Sequence, residues 1–396
     1  MNLHLTKLVQ VPRAVADGFD AYVLAEMGAI LLALGILAFF ATRRKLSVVP
    51  LFILMGLGLG EGGLIPVGFS EDFLFVGAQI GAILLLLLLG LEYSAREIGE
   101  SLKTDWRIGI YDILLNALPG AIIALFLGWG LPGAIILSGI TYVSSSGIAA
   151  QFIREYGFRR SETAKRVVNV LVFEDLALAP YLPIASAVIT SVGLMVGLIS
   201  VSIALVVIGL VLLIGIKREH YLSNFLNTQN PTGLLLTVFG SALLAAGLAE
   251  IAGISGAIAA FLVGLLLSGD VAEAARSRLS PLRDFFSAIF FLFFGLITSP
   301  KDILGVLPIA LLLTILGIAG KFILARIIGK DMNDPMSWLR IGAFLTPRGE
   351  FSIVIAGLAL SATFADQLLP IVLTYVLLTT ISGSFLLKFF RSRLDL

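Results

Sequence analysis

The sequence has no cysteine, only two histidines and few charges, and each shortage excludes a class of protein. Without cysteine there are no disulfides, no thiolate catalysis and no iron–sulfur ligation. His4 and His220 lie outside any apolar run, which argues against a buried zinc or haem site. Charged residues make up 13% of the 396 residues, whereas a soluble domain carries about 25%. A soluble protein of this length is therefore excluded.

Long apolar runs take the place of the missing charge. Hydrophobic residues make up 58% of the chain, and its mean hydropathy is +1.04. A stretch of about 20 apolar residues is long enough for a helix to cross the hydrocarbon of a membrane. The sequence predicts an all-α polytopic membrane protein with about 13 transmembrane spans, at residues 22–42, 46–64, 73–93, 108–130, 132–153, 164–190, 192–216, 232–252, 254–269, 283–299, 304–329, 338–363 and 367–391.

The basic residues predict the orientation of these spans. Connections after odd-numbered spans hold most of the Lys and Arg residues, whereas those after even-numbered spans hold only Lys301. Because basic loops stay in the cytoplasm, we expect the odd loops and the C-terminus inside and the N-terminus outside. With span seven (192–216) as a linker, two sets of six spans begin on opposite sides of the membrane. That arrangement predicts two inverted six-helix repeats.

Ionisable residues inside spans are costly in lipid, so each is a candidate for function. Glu174 and Asp175 are adjacent near the middle of span six, and a helix points successive side chains about 100° apart, toward different surroundings. Lys321 lies inside span eleven, after Gly317 and Gly320. Two structural alternatives stay open: the acids pair with basic residues to stabilise the bundle, or Lys321 extends its stem to the membrane interface.

Spans five and twelve are interrupted in corresponding places. Span five contains Thr141, Ser144 and Ser145 in the run TYVSSSG, and span twelve contains Arg348 and Glu350 in the run TPRGE. Broken backbone is tolerated in a membrane only where protein buries it or where it lines a cavity. Matching broken helices in two halves therefore predict the ion site of a transporter. The alternative is that Arg348 and Glu350 pair with each other as a structural clasp.

These residues together predict an ion exchanger that needs no cofactor. The spans contain carboxylates, a lysine and hydroxyls, but no enzyme's nucleophile. A carboxylate holds either a proton or a monovalent cation, so one acid can exchange one for the other. We expect Asp175 to hold the cation and Asn169 to line the same cavity. Asp112 and Asn116 also lie in or near spans, and the sequence assigns them no role. The remaining expected groups are Glu174, Ser144, Ser145 and Thr141 for binding, and Lys321, Arg348 and Glu350 for charge compensation at the broken helix ends.

Two other classes of function stay open. A gated monovalent cation channel, or a ligand-gated potassium efflux subunit, would conduct ions without moving protons. An intramembrane aspartyl protease would need two aspartates on different helices. Asp175 is the aspartate expected to be well buried, and Lys321 would quench such a pair, so this class is disfavoured.

Several motifs along nearly the whole chain occur together in one known family. They are LLLLLGLE at 85–92, the stretch 144–151, Glu174-Asp175, FFLFFGL at 290–296, Gly320-Lys321 and LTPRGEFSI at 345–353. With these motifs the sequence resembles bacterial members of the monovalent cation:proton antiporter-2 family, which includes Kef-type potassium/proton and Nap-type sodium/proton exchangers. The resemblance implies that Asp175 is the essential cation and proton carboxylate, and that Lys321 forms a salt bridge with Glu174.

The resemblance also implies an architecture. Spans five and twelve would be broken helices that cross in a core, formed by spans in 108–190 and 304–391. This core would move against a scaffold, formed by spans in 22–93 and 232–299, that makes a homodimer. The expected mechanism is alternating access. The exchange would regulate cytoplasmic pH and cation content.

Two departures from the family limit what the resemblance implies. Position 174 is Asp in the Nap type and Gln in the Kef type, so Glu174 leaves open whether the exchange moves net charge. The nucleotide-binding domain of Kef types is absent, so we expect one transmembrane antiporter domain over 1–396 and gating by a separate cytosolic subunit. Shorter relatives of that kind are potassium/proton exchangers, which favours K⁺ over Na⁺. The expected location is a bacterial inner membrane, and no nucleic acid partner is expected.

Overall fold

The computed structural model describes residues 21–44, 46–60, 63, 71–92, 106–155, 157–158, 161–190, 230–251, 255–267, 269–332 and 334–391, which contain helices and no strand. Numbered along the chain, the helices are α1 (Ala21–Arg44), α2 (Val48–Leu59), α3 (Glu71–Glu92), α4 (Trp106–Asp112), α5 (Leu118–Phe126), α6 (Gly130–Tyr142), α7 (Ser146–Glu155), α8 (Glu162–Thr190), α9 (Pro231–Ile251), α10 (Gly256–Leu265), α11 (Gly269–Leu296), α12 (Pro300–Ile328), α13 (Ser337–Leu345), α14 (Glu350–Leu358) and α15 (Ala365–Arg391). A π-helical turn, Ile113–Ala117, connects α4 to α5.

The predicted all-helical polytopic fold is confirmed. Within the described ranges, 10 helical segments are long and apolar enough to cross a membrane, and α2 and α10 are shorter apolar helices. These segments match every predicted span except span seven, because residues 192–216 lie outside the described part of the chain. The count of 13 spans and the repeat symmetry therefore stay predictions.

The span predicted at 283–299 is part of a longer helix. α11 begins at Gly269, so Arg276, Arg278 and Arg283 lie on a helix and not in the predicted loop. The hydropathy of the sequence located only the second half of α11, since charged residues are interspersed in the first half. That half is amphipathic, and its buried face includes Ala275.

The helices pack in two groups. One group contains α1, α2, α3, α9, α10 and α11, and the other contains α4 to α8 and α12 to α15. In the first group, α2 crosses α11 at Gly56 and Gly295, and α3 crosses α10 at Gly90 and Gly264. A Cβ atom on Gly56 would lie 2.1 Å from a carbonyl oxygen of α11, and one on Gly90 would lie 2.2 Å from a carbonyl oxygen of α10. Small residues are therefore required where these backbones meet.

Large apolar side chains cover the outward faces of both groups. Leu32 and Phe39 on α1, Leu244 on α9, and Leu304 and Ile315 on α12 are each more than 60% exposed. Exposed large apolar side chains on several helices indicate a surface that contacts something other than water. The length of the helices identifies it as the surface that contacts lipid.

The two predicted interruptions are breaks in the helices, and the breaks cross in direct contact. The first separates α6 from α7 at residues 143–145, and the second separates α13 from α14 at residues 346–349. The backbone N–H of Ser145 donates a hydrogen bond to the Pro347 carbonyl oxygen at 2.8 Å. A Cβ atom on Gly349 would lie 2.5 Å from the Ser145 hydroxyl oxygen, so glycine is required at this close approach. The crossing lies within the second group of helices.

Candidate functional site

Arg348 is fully buried at the crossing and binds the carboxyl-terminal ends of two helices. Its Nη2 and Nε donate to the Thr141 carbonyl oxygen, in the last turn of α6, at 2.9 and 3.2 Å. Its Nη1 donates to the Leu345 carbonyl oxygen, at the end of α13, at 2.9 Å. Because each helix carries about half a negative charge at its carboxyl end, the guanidinium neutralises both ends. The Tyr375 hydroxyl of α15 accepts a further hydrogen bond from Nε at 3.1 Å.

Glu350 lies at the amino-terminal ends of the other two half-helices. It is the first residue of α14, and its Oε2 accepts a hydrogen bond from the Ser145 hydroxyl at 3.1 Å. Its Oε1 lies 3.4 Å from the position of a Cβ atom on Gly147, in the first turn of α7. A carboxylate stabilises the positive amino-terminal ends of helices. In the described part of the chain Arg348 and Glu350 form no ion pair with each other, so the clasp alternative is wrong.

Glu174 and Asp175 of α8 face different surroundings. Glu174 is fully buried: its Oε1 accepts a hydrogen bond from the Ser144 hydroxyl at 3.1 Å, and its Oε2 accepts one from the Ser144 backbone N–H. Asp175 is 3% exposed and lines a cavity. The angle of about 100° between successive side chains on a helix separates the two carboxylates in this way.

Lys321 joins Glu174 to a second acid. Its Nζ lies 2.7 Å from Glu174 Oε1, so the ion pair implied by the resemblance is present, and it also lies 2.7 Å from Asp112 Oδ1. None of the Lys321 side chain is exposed. The alternative in which Lys321 extends to the membrane interface is therefore wrong, whereas pairing with a basic residue does apply to Glu174.

The sequence assigns no role to Asp112 and Asn116, yet both are part of the site. Asn116 Nδ2 donates to Asp112 Oδ1 at 2.7 Å, and Arg348 Nη2 donates to Asn116 Oδ1 at 3.4 Å. The π-helical turn lies between Asp112 and α5, and such turns are frequent at functional sites. Two polar residues four positions apart in an apolar span were the available signal, because they share a helix face. The sequence could not show that this face meets Lys321, 209 residues further along.

These contacts close a ring of buried polar side chains. Arg348 Nη1 donates to the Ser144 hydroxyl oxygen at 3.2 Å, which joins the crossing to the acids. In order, the ring contains Arg348, Asn116, Asp112, Lys321, Glu174 and Ser144. Each of the six residues has at least one partner in the ring, although Asp112 Oδ2 has none among the described residues, and such a network favours a single arrangement of its helices.

A cavity of about 990 Å³ reaches Asp175. It lies between the two groups of helices, with α3 and α11 on one side and α7, α8 and α14 on the other. A water molecule occupies about 30 Å³ in the liquid, so a hydrated monovalent cation fits. Polar lining residues are Ser146, Asn169, Asp175 and Glu350, and the other charged lining residues are Glu92, Glu162, Lys165, Arg166, Arg276, Arg283 and Asp284.

The three hydroxyl residues expected to bind the cation lie at the crossing. Ser144 contacts Glu174, and Ser145 contacts Glu350. The Thr141 hydroxyl donates to the Asn116 carbonyl oxygen at 2.8 Å. Among the described residues Ser146 lines the cavity and these three do not, so their direct contact with a cation stays a prediction. Within the same residues, no three His, Asp or Glu side chains are grouped to hold a resident metal ion.

Comparisons with known proteins agree with this architecture. Residues 29–391 match the family model described as "Sodium/hydrogen exchanger, transmembrane". The chain is 30% identical over 376 residues to the K(+)/H(+) antiporter subunit KhtU of Bacillus subtilis, with 92% of each chain covered. It is 30% identical over 350 residues to the ammonium/H(+) antiporter subunit AmhT of Alkalihalophilus pseudofirmus, which covers 85% of this chain and 86% of the relative.

The fold is similar to that of a solved antiporter. The structure of the sodium proton antiporter MjNhaP1 from Methanocaldococcus jannaschii matches with a TM-score of 0.67, covering 92% of this chain and 99% of that one. The sequence identity is 18%, so this similarity concerns the fold alone. The family match and the two relatives establish the functional class. This multi-pass membrane protein belongs to the sodium/hydrogen exchanger family of monovalent cation:proton antiporters.

Proposed function

We propose that this antiporter exchanges K⁺ for protons, with Na⁺ as a weaker substrate, by alternating access in a bacterial inner membrane. The observation that carries the proposal is the cavity that reaches Asp175 between the two groups of helices. A buried carboxylate open to water holds either a proton or a cation, so each ion displaces the other. This exchange would regulate cytoplasmic pH and cation content.

The names of the relatives support a preference for K⁺. One relative is named for potassium/proton exchange and the other for ammonium/proton exchange. Potassium and ammonium ions are similar in size, and both are larger and more weakly hydrated than sodium. A site shared with these relatives would therefore favour the larger ion.

Basic residues near the start of α8 support a cytoplasmic opening. Lys165 and Arg166 line the cavity, and both lie in a segment that the positive-inside rule assigns to the cytoplasm. The N-terminus would then face outward and the C-terminus inward. With this orientation the cavity is the inward-open state, in which Asp175 exchanges ions with the cytoplasm.

Alternating access would move one group of helices against the other. The spans in 108–190 and 304–391 contain the ring and the crossing, so they would move as the core. The spans in 22–93 and 232–299 would form the scaffold of a homodimer, with 192–216 as a linker in a single antiporter domain. The relatives' names both include the word "subunit", which supports a separate regulatory partner.

Reconstitution into liposomes tests this function. With a pH-sensitive dye inside, adding K⁺ should release protons from wild-type vesicles, and Asp175→Asn should reduce that signal to the level of empty liposomes. Asp302→Asn is the matched control, because it makes the same change at an exposed acid near the start of α12. Exchange that persists in a folded Asp175→Asn variant would remove Asp175 from the mechanism.

The same vesicles separate an antiporter from a channel. An antiporter saturates with K⁺ and runs backwards when only a pH gradient is applied. A channel would instead carry K⁺ down an electrical gradient without any dye response. K⁺ flux without proton movement would favour the gated channel and refute the proposed exchange.

A further inference from the structure

Asp112 has no role in the exchange proposed above. It is 1% exposed, and its Oδ1 accepts hydrogen bonds from Lys321 at 2.7 Å and Asn116 at 2.7 Å. In the described part of the chain its other oxygen, Oδ2, is buried without a hydrogen-bond partner. The carboxylate therefore keeps acceptor capacity that its contacts do not use.

Lys321 is shared between Asp112 and Glu174 at equal distances of 2.7 Å. One ammonium group carries a single positive charge, so it can balance only one of the two acids. The ring of the Tyr142 side chain, whose centre lies 5.7 Å from Nζ, adds no formal charge. Arg348 reaches Asp112 only through Asn116, and it is occupied by the carboxyl ends of α6 and α13.

We infer that Asp112 is a third acid of the ion site, which leaves one extra negative charge beside Glu174 and Asp175 to attract the transported monovalent cation. Without Asp112, Lys321 would balance Glu174 completely and Asp175 would attract the ion alone. Asp112 is a positioning residue here, since it acts through the field and through Lys321 and not by contact with the cation. This inference rests on the proposed exchange.

The charge argument gives a specific kinetic expectation. A unit charge about 10 Å away, at an effective dielectric constant of about 20, changes ion affinity on the order of tenfold. Asp112→Asn should therefore raise the KM for K⁺ about tenfold and leave the maximal rate within about threefold of wild type. Structural damage would instead lower the maximal rate and leave the KM unchanged, because it reduces the amount of working protein.

Restoring the charge balance should restore the affinity. The double variant Asp112→Asn/Lys321→Gln removes one negative and one positive charge, so its KM should return to within about threefold of wild type. Asp112→Glu keeps the charge and should also keep the KM. The control is again Asp302→Asn, which changes an exposed acid by the same chemistry.

The experiment measures initial rates of K⁺-driven proton release in proteoliposomes containing the full chain. Asp112→Asn with a wild-type KM, or a double variant whose KM stays tenfold above wild type, overturns the inference. If Asp112→Asn does not fold, the double variant is compared with Lys321→Gln: a KM about tenfold higher in the double variant supports the inference, and equal KM values overturn it. Wild-type protein that releases no protons with K⁺, Na⁺ or ammonium would instead be a failure of the proposed function.

Discussion

Replacing Lys321 with glutamine should destabilise the protein more than removing either acid beside it. Removal of one partner from a buried ion pair costs about 3–5 kcal/mol, because the other charge is left uncompensated. Lys321→Gln leaves two such charges, on Glu174 and Asp112, whose side chains are 0% and 1% exposed. We therefore expect a loss of about 5 kcal/mol, at the upper end of that range.

Removing Glu174 alone or Asp112 alone should lower the free energy of unfolding by less than Lys321→Gln does. In Glu174→Gln, Lys321 keeps Asp112 at 2.7 Å, so the variant mainly loses hydrogen bonds to a charged group, worth about 1.5–3 kcal/mol. Asp112→Asn should lose a similar amount, since Lys321 keeps Glu174. The double variant Lys321→Gln/Glu174→Gln should recover part of the stability lost in Lys321→Gln, because it leaves one unpaired acid and not two.

Equilibrium unfolding in detergent micelles measures these differences, with the fluorescence of the 3 tryptophans as the signal. The predicted order is wild type, then the two acid variants together, and then Lys321→Gln. If Glu174→Gln is as destabilising as Lys321→Gln, the two residues form an isolated pair and Asp112 does not share the lysine. If no single change lowers stability but each alters the pH dependence of exchange, the group serves transport and not folding.

Two further predictions concern the crossing and the scaffold. Arg348→Lys keeps the charge, but one ammonium nitrogen cannot reproduce the hydrogen bonds that Nε, Nη1 and Nη2 donate. A loss of about 2–4 kcal/mol is therefore expected in the same assay, and wild-type stability would show that charge alone suffices. Gly295→Ala places a Cβ atom 2.2 Å from the Ile53 carbonyl oxygen and should cost about 1–3 kcal/mol or more by forcing α2 from α11. Its control is Gly28→Ala, where no atom lies within 4 Å, and an equal loss in both variants would contradict the packing argument.

The fold was largely predictable, because the cost of placing polar backbone and charge in lipid acts on each span separately. That cost explains why apolar runs located the helices and why breaks in spans five and twelve were visible as TYVSSSG and TPRGE. It also explains the error at α11, whose first half is amphipathic and so has no continuous apolar run. Hydropathy locates membrane-crossing segments and does not locate where a helix begins.

The residue types of the candidate site and the Lys321–Glu174 pair were predictable, but the other pairings were not. Glu174, Asp175 and Lys321 could be selected because each carries a charge deep in an apolar span. For Arg348 the sequence left two alternatives, compensation of the broken helix ends or a clasp with Glu350, and in the structure the guanidinium binds backbone carbonyl groups. Asp112 lacked an assigned role because its importance depends on Lys321, which only the tertiary fold brings near.

The placement of Arg348 and Glu350 separates the charges that hold the crossing together from those that handle ions. Arg348 balances two carboxyl-terminal helix ends, each of which carries about half a negative charge. Glu350 balances two amino-terminal ends, which carry the opposite charge. The crossing thus neutralises itself. If Asp112 acts as proposed, substitutions at Glu174, Asp112 and Lys321 should change ion affinity, whereas those at Arg348 should first change stability.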